Sequence, residues 1–172
     1  MIALEKLAHN KGSAFGDLGE PKQPTQEQFE NELAMAWRAR RPDAPLWVED
    51  ESRTVGRCVL PEAFWQAKQA GLFHVLDLPE EARLDHLGEI YLQHDAEKLI
   101  ARIRIIHKRL GGDRTAAAIH AVENGDLRTA AKLVLAYYDR TYSHAVDSVP
   151  PDRVRRFAFA RLDAGEIAQT LR

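Results

Sequence analysis

The first forty residues predict two helices separated by a loop. Apolar side chains recur at helical spacing between residues 2 and 9, so this segment reads as the end of a helix. Glycine and proline then interrupt the pattern over residues 10–24, which predicts an irregular loop. Thr25 fits the N-cap position of the next helix, with Gln28 in capping-box position, and the apolar stripe runs to about Ala39.

The middle of the chain alternates between apolar runs and helical segments. Residues 46–48 form a short apolar run that stops in acidic residues, as a buried parallel strand does when its carboxyl end meets a polar site. A helix is predicted from Pro61 to about Ala70, a second strand at residues 72–76, and a further helix start at Pro79. This alternation favours an α/β arrangement around a parallel sheet.

After Pro79 the pattern becomes mostly helical. Helical periodicity covers residues 80–110, with an expected break near His94 and Asp95. Two glycine-containing turns then delimit helices at residues 115–122 and 127–142. The tail is predicted to contain a last strand around Val154, Phe157 and Phe159, and a short helix at residues 163–171.

The number of predicted strands is too small for a self-sufficient sheet. A parallel strand that is buried on both faces needs neighbours on both sides, and a two-stranded parallel sheet makes a poor core. Either the tail strand and the N-terminal region complete the sheet, or strands are missing from this chain, and we expect the second. An exposed apolar sheet edge or face would follow, and with it self-association or a partner chain.

Composition describes an ordinary globular protein of one domain's length. Its 172 residues are 45% hydrophobic and 29% charged, and no stretch is long and apolar enough for a membrane span. The N-terminus is too charged for a signal peptide, and the single Cys58 has no partner for an internal disulfide, so we expect a cytoplasmic protein. A net charge of −2 argues against indiscriminate nucleic-acid binding but permits a local basic patch.

The acids after the first predicted strand are the strongest candidates for a functional site. Glu49, Asp50 and Glu51 follow that strand directly, and phosphate-handling folds place metal-binding or water-orienting carboxylates at this position. Arg53 and Arg57 follow closely, and a guanidinium matches phosphate oxygens. The alternative is that the acids cap the strand and pair with nearby arginines.

Other possible sites give weaker signals. Glycines 12, 16 and 19 permit a phosphate-binding loop, but a flexible surface loop is the favoured interpretation, and no G-x-x-x-x-G-K-[ST] motif occurs in the chain. The seven histidines match no metal-binding pattern, so no metal is predicted. Cys58 lies beside arginines that would lower a thiol pKa, although an inert buried thiol is the more common case.

Basic residues cluster in three places along the chain. On helices such clusters are usually solvated faces, but with tyrosines 137, 138 and 142 they also fit an RNA-binding surface. The clusters are Arg38, Arg40 and Arg41; Arg102, Arg104, Lys108 and Arg109; and Arg153, Arg155 and Arg156.

Several strings, in order along the chain, resemble tRNA 2-selenouridine synthases. They are Leu7–Gly16, Gln28–Asn31, Leu46–Arg53, Val55–Arg57, Leu60-Pro61, Leu78–Leu84 and Tyr137–Tyr142. Members of that family have a rhodanese domain with a catalytic cysteine, followed by a P-loop domain. They convert wobble 2-thiouridine of tRNA to 2-selenouridine, through S-geranylation by geranyl diphosphate and then replacement of the geranylthio group using selenophosphate. Neither co-substrate is permanently bound.

The resemblance implies a partial P-loop-like parallel sheet with helices. Residues 1–78 would form an incomplete P-loop-type α/β segment, and residues 79–172 a helical section with a late strand and a short terminal helix. The rhodanese cysteine and the P-loop lysine have no counterpart here, and Cys58 does not inherit a catalytic role. The missing half, containing rhodanese domain and P-loop, would be a partner beside tRNA, and the chain alone would be inactive.

The resemblance also implies roles for individual residues. Gly12, Ser13 and Gly16 would line the diphosphate or wobble-base site, and Glu49, Asp50 and Glu51 would supply its acids. Arg53 and Arg57 would contact phosphate. The remaining expected contacts are with tRNA, through Arg102, Arg104, Lys108 and Arg109. Two alternatives stay open: a non-catalytic tRNA-binding or interaction module, and an unrelated nucleotide-handling α/β protein.

Overall fold

A computed structural model describes residues 1–91 and 93–171 of the chain. The protein is mixed α/β, and its carboxyl-terminal part is mostly helical. It divides into two compact units, Met1–Gly71 and Leu72–Arg172. The division falls earlier than the boundary after residue 78 that the sequence suggested, since the strand at Phe73–Asp77 pairs with a strand of the second unit.

The first unit contains three helices and one small hairpin. Its elements are α1 (Leu4–Ala8), α2 (Gln26–Arg38), β1 (Thr54–Val55), β2 (Cys58–Val59) and α3 (Glu62–Gln69). The predicted cap of α2 is confirmed, because the Thr25 hydroxyl accepts the backbone N–H of Gln28 at 3.2 Å. Apolar side chains from every element then meet in one core around the fully buried Phe29.

The predicted strand at residues 46–48 is reduced to a single parallel bridge between Val48 and Ile2, with the Ile2 N–H donated to Trp47 O at 2.8 Å. The parallel direction was predicted correctly, but the expected strand and its place in a sheet with residues 72–76 were wrong. The ladder cannot extend, because α1 begins at Leu4 and turns the partner segment away from an extended path.

The hairpin of β1 and β2 was not predicted. Val55 pairs with Cys58 across a turn in which Gly56 has a φ of +60°. The Gln26 side chain completes β2 like an additional strand: it accepts the Val59 N–H at 2.8 Å and donates to the Val59 carbonyl at 2.7 Å. Gln23 does the same for β1, donating to Val55 O at 3.2 Å and accepting from Arg57 N at 3.0 Å.

The second unit combines a two-stranded sheet with a helical array. Its elements are β3 (Phe73–Asp77), α4 (Glu80–Tyr91), α5 (Ala96–Ile105), α6 (His107–Leu110), α7 (Gly112–Glu123), α8 (Leu127–Asp147), a 3₁₀ turn (Pro151–Arg153), β4 (Val154–Ala158) and α9 (Ala164–Thr170). These elements confirm the predicted helical section, late strand and terminal helix. Helix α8 continues past the expected end near Tyr142.

The two strands of this unit pair in parallel over their whole length, from Phe73 opposite Val154 to Asp77 opposite Ala158. Within the described residues, each strand pairs only with the other. Leu72 and Leu76 are 60% and 37% exposed at this small sheet. The expected exposed apolar surface is therefore present, whereas self-association stays a prediction.

Replacing Gly56 tests whether Gln23 has room to move. A Cβ at Gly56 would overlap the Gln23 amide, and its positive φ adds strain. We expect Gly56→Ala to lower the free energy of unfolding by about 2–3 kcal/mol, since Gln23 must give up hydrogen bonds. Denaturant unfolding followed by tryptophan fluorescence measures this unit, since Trp37, Trp47 and Trp65 all lie in it.

The matched control is Gly125→Ala. Gly125 has a φ of +77°, and a Cβ there would meet no atom within 4 Å. Backbone strain alone should lower the free energy of unfolding by about 1 kcal/mol. Denaturant unfolding followed by circular dichroism measures this change. If Gly56→Ala and Gly125→Ala lose the same free energy of unfolding, the Gln23 side chain moves aside without an energetic cost.

Candidate functional site

The glycine-containing loop after α1 uses most of its N–H groups internally. Gly12 N donates to Asn10 Oδ1 at 3.0 Å, and Phe15 N donates to Ser13 Oγ at 3.1 Å. Lys11 N and Gly16 N bond to the carbonyls of Gly16 and Ser13, each at 2.9 Å. A phosphate cradle needs such N–H groups to point at the ligand, so this conformation of the loop is not arranged as one.

The structure does bring two of the sequence-predicted segments together. The Glu51 carboxylate lies directly against the backbone of Gly12, where any Cβ would overlap it, and Gly12 has a φ of +67°. Only glycine allows this approach. Gly12 and Glu51, 39 positions apart in sequence, therefore share one site, which Ser13 and Gly16 adjoin through the loop.

Three glutamates converge beside this contact. Glu49 Oε2 accepts the backbone N–H of Glu5 at 2.9 Å, in the first turn of α1. The Glu5 and Glu51 side chains are hydrogen-bonded to each other. Burial, followed by the charges of Glu51 and Glu49, raises the pKa of Glu5 to about 7, and burial also raises the pKa of Glu51. The Glu5–Glu51 pair therefore holds a proton up to about pH 7.

Glu5 was missed by the sequence analysis. It stands in a helical segment that gave no chemical signal, 44 residues from Glu49. The parallel bridge between Ile2 and Val48 is what sets α1 beside the acidic string. No sequence signal marked Glu5, because its burial and its carboxylate neighbours come from the fold.

The other predicted residues of this segment face different partners. Asp50 pairs with Lys68 at 2.5 Å, and Arg53 pairs with Glu62 at 2.6 Å, so both contact α3. Arg57 is exposed in the hairpin turn, where its backbone N–H bonds to Gln23. Neither pair joins one of the three acids to a nearby arginine, as the alternative expected, and the roles of these residues stay predictions.

Metal and thiol chemistry find little support in the structure. Among residues 1–91 and 93–171, no group of three or more His, Cys, Asp or Glu side chains is arranged to hold a metal ion. Cys58 is 1% exposed, and burial raises the pKa of its thiol despite the charge of Arg57. A raised pKa keeps the sulfur protonated and unreactive.

The basic residues of α5 and α6 form an exposed surface in the second unit. Arg104, Lys108 and Arg109 are exposed, and Arg102 is half-buried. Within the part of the chain that the structure describes, the first three make no ion pair. We call Arg102, Arg104, Lys108 and Arg109 the α5–α6 basic surface.

Most residues of the other two basic clusters are engaged within their own units. The Arg40 guanidinium lies 3.9 Å from the centroid of the Trp37 ring, and Arg41 pairs with Asp43 at 3.5 Å. Arg155 donates to Asp152 O at 2.8 Å, and Arg156 pairs with Asp77 at 3.1 Å. The α5–α6 basic surface is therefore the better candidate for binding an external anion.

A bidentate ion pair joins two further strings that the sequence singled out. Arg83 donates to both carboxylate oxygens of Asp139, at 2.5 and 3.0 Å. This contact links α4 to α8, so the string Leu78–Leu84 meets the string Tyr137–Tyr142. Hydrogen bonding to Asp139 raises the pKa of Arg83 further.

No helix within the described residues has the length and apolar character needed to cross a membrane.

Comparison with protein families gives one clear match. The model of the tRNA 2-selenouridine synthase AAA domain matches residues 1–162. No solved structure gives a significant match.

Three similar proteins with curated names are each called tRNA 2-selenouridine synthase. One from Shewanella loihica is 35% identical over 176 residues, covering 84% of this chain and 47% of the relative. One from Shewanella halifaxensis is 34% identical and covers 89% of this chain and 50% of the relative. One from Hahella chejuensis is 39% identical and covers 56% of this chain and 26% of the relative. The chain spans about half the length of the curated relatives it matches.

The Glu5–Glu51 pair should make the first unit sensitive to pH. Because the pKa of Glu5 is raised from 4.5 to about 7, the folded state holds a proton that the unfolded state has lost in this range. Its stabilising contribution is complete below pH 4.5 and is lost as the pH rises through about 7. Glu5→Gln should therefore increase the free energy of unfolding at pH 8 by about 2 kcal/mol and change it little at pH 4.5.

Tryptophan fluorescence during urea unfolding at the two pH values measures this difference. The control is Glu27→Gln, which neutralises an exposed carboxylate in the first turn of α2 and should change stability about equally at both. A Glu5→Gln effect that does not depend on pH would contradict a shared proton.

Proposed function

We propose that this chain, which belongs to the tRNA 2-selenouridine synthase AAA domain family, takes part in the conversion of wobble 2-thiouridine of tRNA to 2-selenouridine. The observation that carries the proposal is the family match over residues 1–162, together with 35% identity to a synthase over 84% of the chain. It supports tRNA as the proposed macromolecular substrate.

The proposed route has two group transfers. First, the thiocarbonyl sulfur of the nucleoside bonds to the carbon of geranyl diphosphate that carries the diphosphate group. Diphosphate then leaves with the electrons of the broken C–O bond. Selenium from selenophosphate then bonds to C2 of the base as the C2–S bond breaks and geranylthiol leaves, and water takes the phosphoryl group from selenium as phosphate. Both co-substrates come and go with each turnover.

The α5–α6 basic surface is proposed to hold the tRNA backbone. Three of its cations are exposed and, among the described residues, in no ion pair. Such cations can exchange counterions for phosphates, which is the main source of affinity for RNA at low salt. An overall charge of −2 makes this local placement more important, since the protein as a whole does not attract RNA.

The first unit is proposed to contribute to the substrate site, with Gly12, Ser13, Gly16, Glu49, Asp50, Glu51, Arg53 and Arg57 as its residues. It does not supply a diphosphate cradle, because the chain has no P-loop motif and its glycine loop bonds to itself. The phosphate-binding loop would come from the part of the synthase that this chain does not span, which by resemblance also contains the rhodanese domain. We therefore expect this chain alone to have no turnover.

Supplying the missing half tests the assignment. In cells without their own synthase, the chain alone should leave tRNA without 2-selenouridine, as measured by liquid chromatography and mass spectrometry of nucleosides. Co-expression with the amino-terminal half of the Shewanella loihica relative should produce the modified nucleoside. Turnover by the chain alone would contradict the need for a second half. Failure of both, with tRNA binding intact, would favour the non-catalytic tRNA-binding module.

Salt dependence tests the role of the basic surface. We expect Lys108→Ala to reduce the slope of log affinity against log salt for tRNA by about one, since one phosphate contact is lost. Fluorescence anisotropy with labelled tRNA at several salt concentrations gives the slope.

Lys6→Ala is the control, because it removes an exposed lysine that lies on α1 and outside all three basic clusters. Its slope should equal that of the unaltered protein. Equal slopes for all three proteins would place the tRNA contact elsewhere.

A further inference from the structure

Three tyrosines on α8 form a row of neighbouring rings that ends at the surface, and the outer two, Tyr138 and Tyr142, are stacked. Tyr137 is buried, and its ring centroid lies 4.9 Å from that of Tyr138. Tyr138 and Tyr142 follow at 6.3 Å with an interplanar angle of 28°, a near-parallel arrangement. Tyr142 is 55% exposed, so the row leads from the core of the second unit out to solvent.

The position of this stack is fixed by its own helix and by the neighbouring one. Tyr138 and Tyr142 are four residues apart, so they lie on the same side of α8. Asp139 stands between them in sequence and is held by the bidentate contact with Arg83 of α4. Anchoring this turn of α8 limits the motion of the rings, and a preorganised aromatic surface binds at a lower entropic cost.

The surroundings favour a nucleobase over an apolar protein segment. Next to Tyr142 in sequence, the exposed and polar residues are Arg140, Thr141, Ser143 and His144. One turn on, the exposed apolar side chain of α8 near the ring is the small Ala145, beside the half-buried Val146. Protein-docking sites usually have an apolar centre larger than one ring. A single outward aromatic ring with polar and basic neighbours is instead typical of proteins that stack unpaired bases. Bases within a duplex have their faces covered by the adjacent pairs.

We propose that Tyr142, backed by Tyr138, is a stacking site for one unpaired nucleobase of the RNA substrate. The inference rests on the proposed function, because it presumes that RNA binds this chain. It adds a preference for an RNA loop over a duplex. The α5–α6 basic surface does not provide this preference, because it binds phosphates. Stacking tolerates any base, so the site distinguishes pairing state and not sequence.

The test compares two RNAs with the same number of phosphates: a hairpin with a seven-nucleotide loop and a blunt duplex. Affinity is measured by fluorescence anisotropy for the unaltered chain, Tyr142→Phe and Tyr142→Leu. Phenylalanine keeps the ring, and leucine keeps an apolar side chain without it. We expect Tyr142→Phe to bind the hairpin within about twofold, and Tyr142→Leu about tenfold more weakly, with duplex affinity unchanged.

A second readout separates direct contact from an effect on folding. Hairpin RNA with 4-thiouridine in the loop should photo-cross-link to the peptide that contains Tyr142, as located by mass spectrometry. Circular dichroism of both variants checks that α8 is retained. A cross-link confined to other peptides would contradict the stacking site.

The possible failures can be told apart. If the unaltered chain binds the hairpin and Tyr142→Leu binds it equally well, the stacking site is wrong while the proposed function stands. An equal loss for hairpin and duplex would also reject it, since the contact would then be with the backbone. If the unaltered chain binds neither RNA, both the stacking site and the proposed tRNA contact are wrong.

Discussion

The first unit depends on side chains that replace the hydrogen bonds of a sheet. Buried backbone N–H and C=O groups need partners, and strands of two residues cannot supply enough of them. Gln23 and Gln26 therefore pair with the hairpin backbone, Glu49 bonds to the first turn of α1, and Asn10 bonds to the loop that follows it. The geometry of the glutamate cluster is a consequence, since the same contacts that satisfy the backbone bring Glu5 and Glu51 together.

Local signals predicted the helices and several of their ends. Thr25, Asp126 and Asp163 each accept backbone N–H groups at helix starts, as their residue types indicate. Pairing between distant segments was harder to predict. The run at residues 46–48 has the composition of a strand, but the length of its partner decides how far pairing extends. The hairpin at Gly56 had a usable signal in its β-branched residues and glycine turn.

The identities of the candidate-site residues could be predicted from the sequence better than their arrangement in space. Gly12 and Glu51 were both named from their strings, and the structure places them in contact. Arg53 was expected near phosphate, but Glu62 lies within reach and pairs with it. Glu5 carries a strongly raised pKa yet sits in an unremarkable helix, because its environment comes from residues more than forty positions away. Burial and proximity of that kind arise only in the fold.

The parallel pairing of β3 with β4 also constrains how the protein is made. Phe73 pairs with Val154, so β3 leaves the ribosome about 80 residues before its partner exists. At a synthesis rate of roughly 5–20 residues per second, that interval lasts on the order of 4 to 16 seconds. During this interval the nascent chain exposes an unpaired apolar strand, and Leu72 and Leu76 are open to non-native contacts. Helices α4 to α8 can form from local contacts during this interval, so the second unit would close its sheet last.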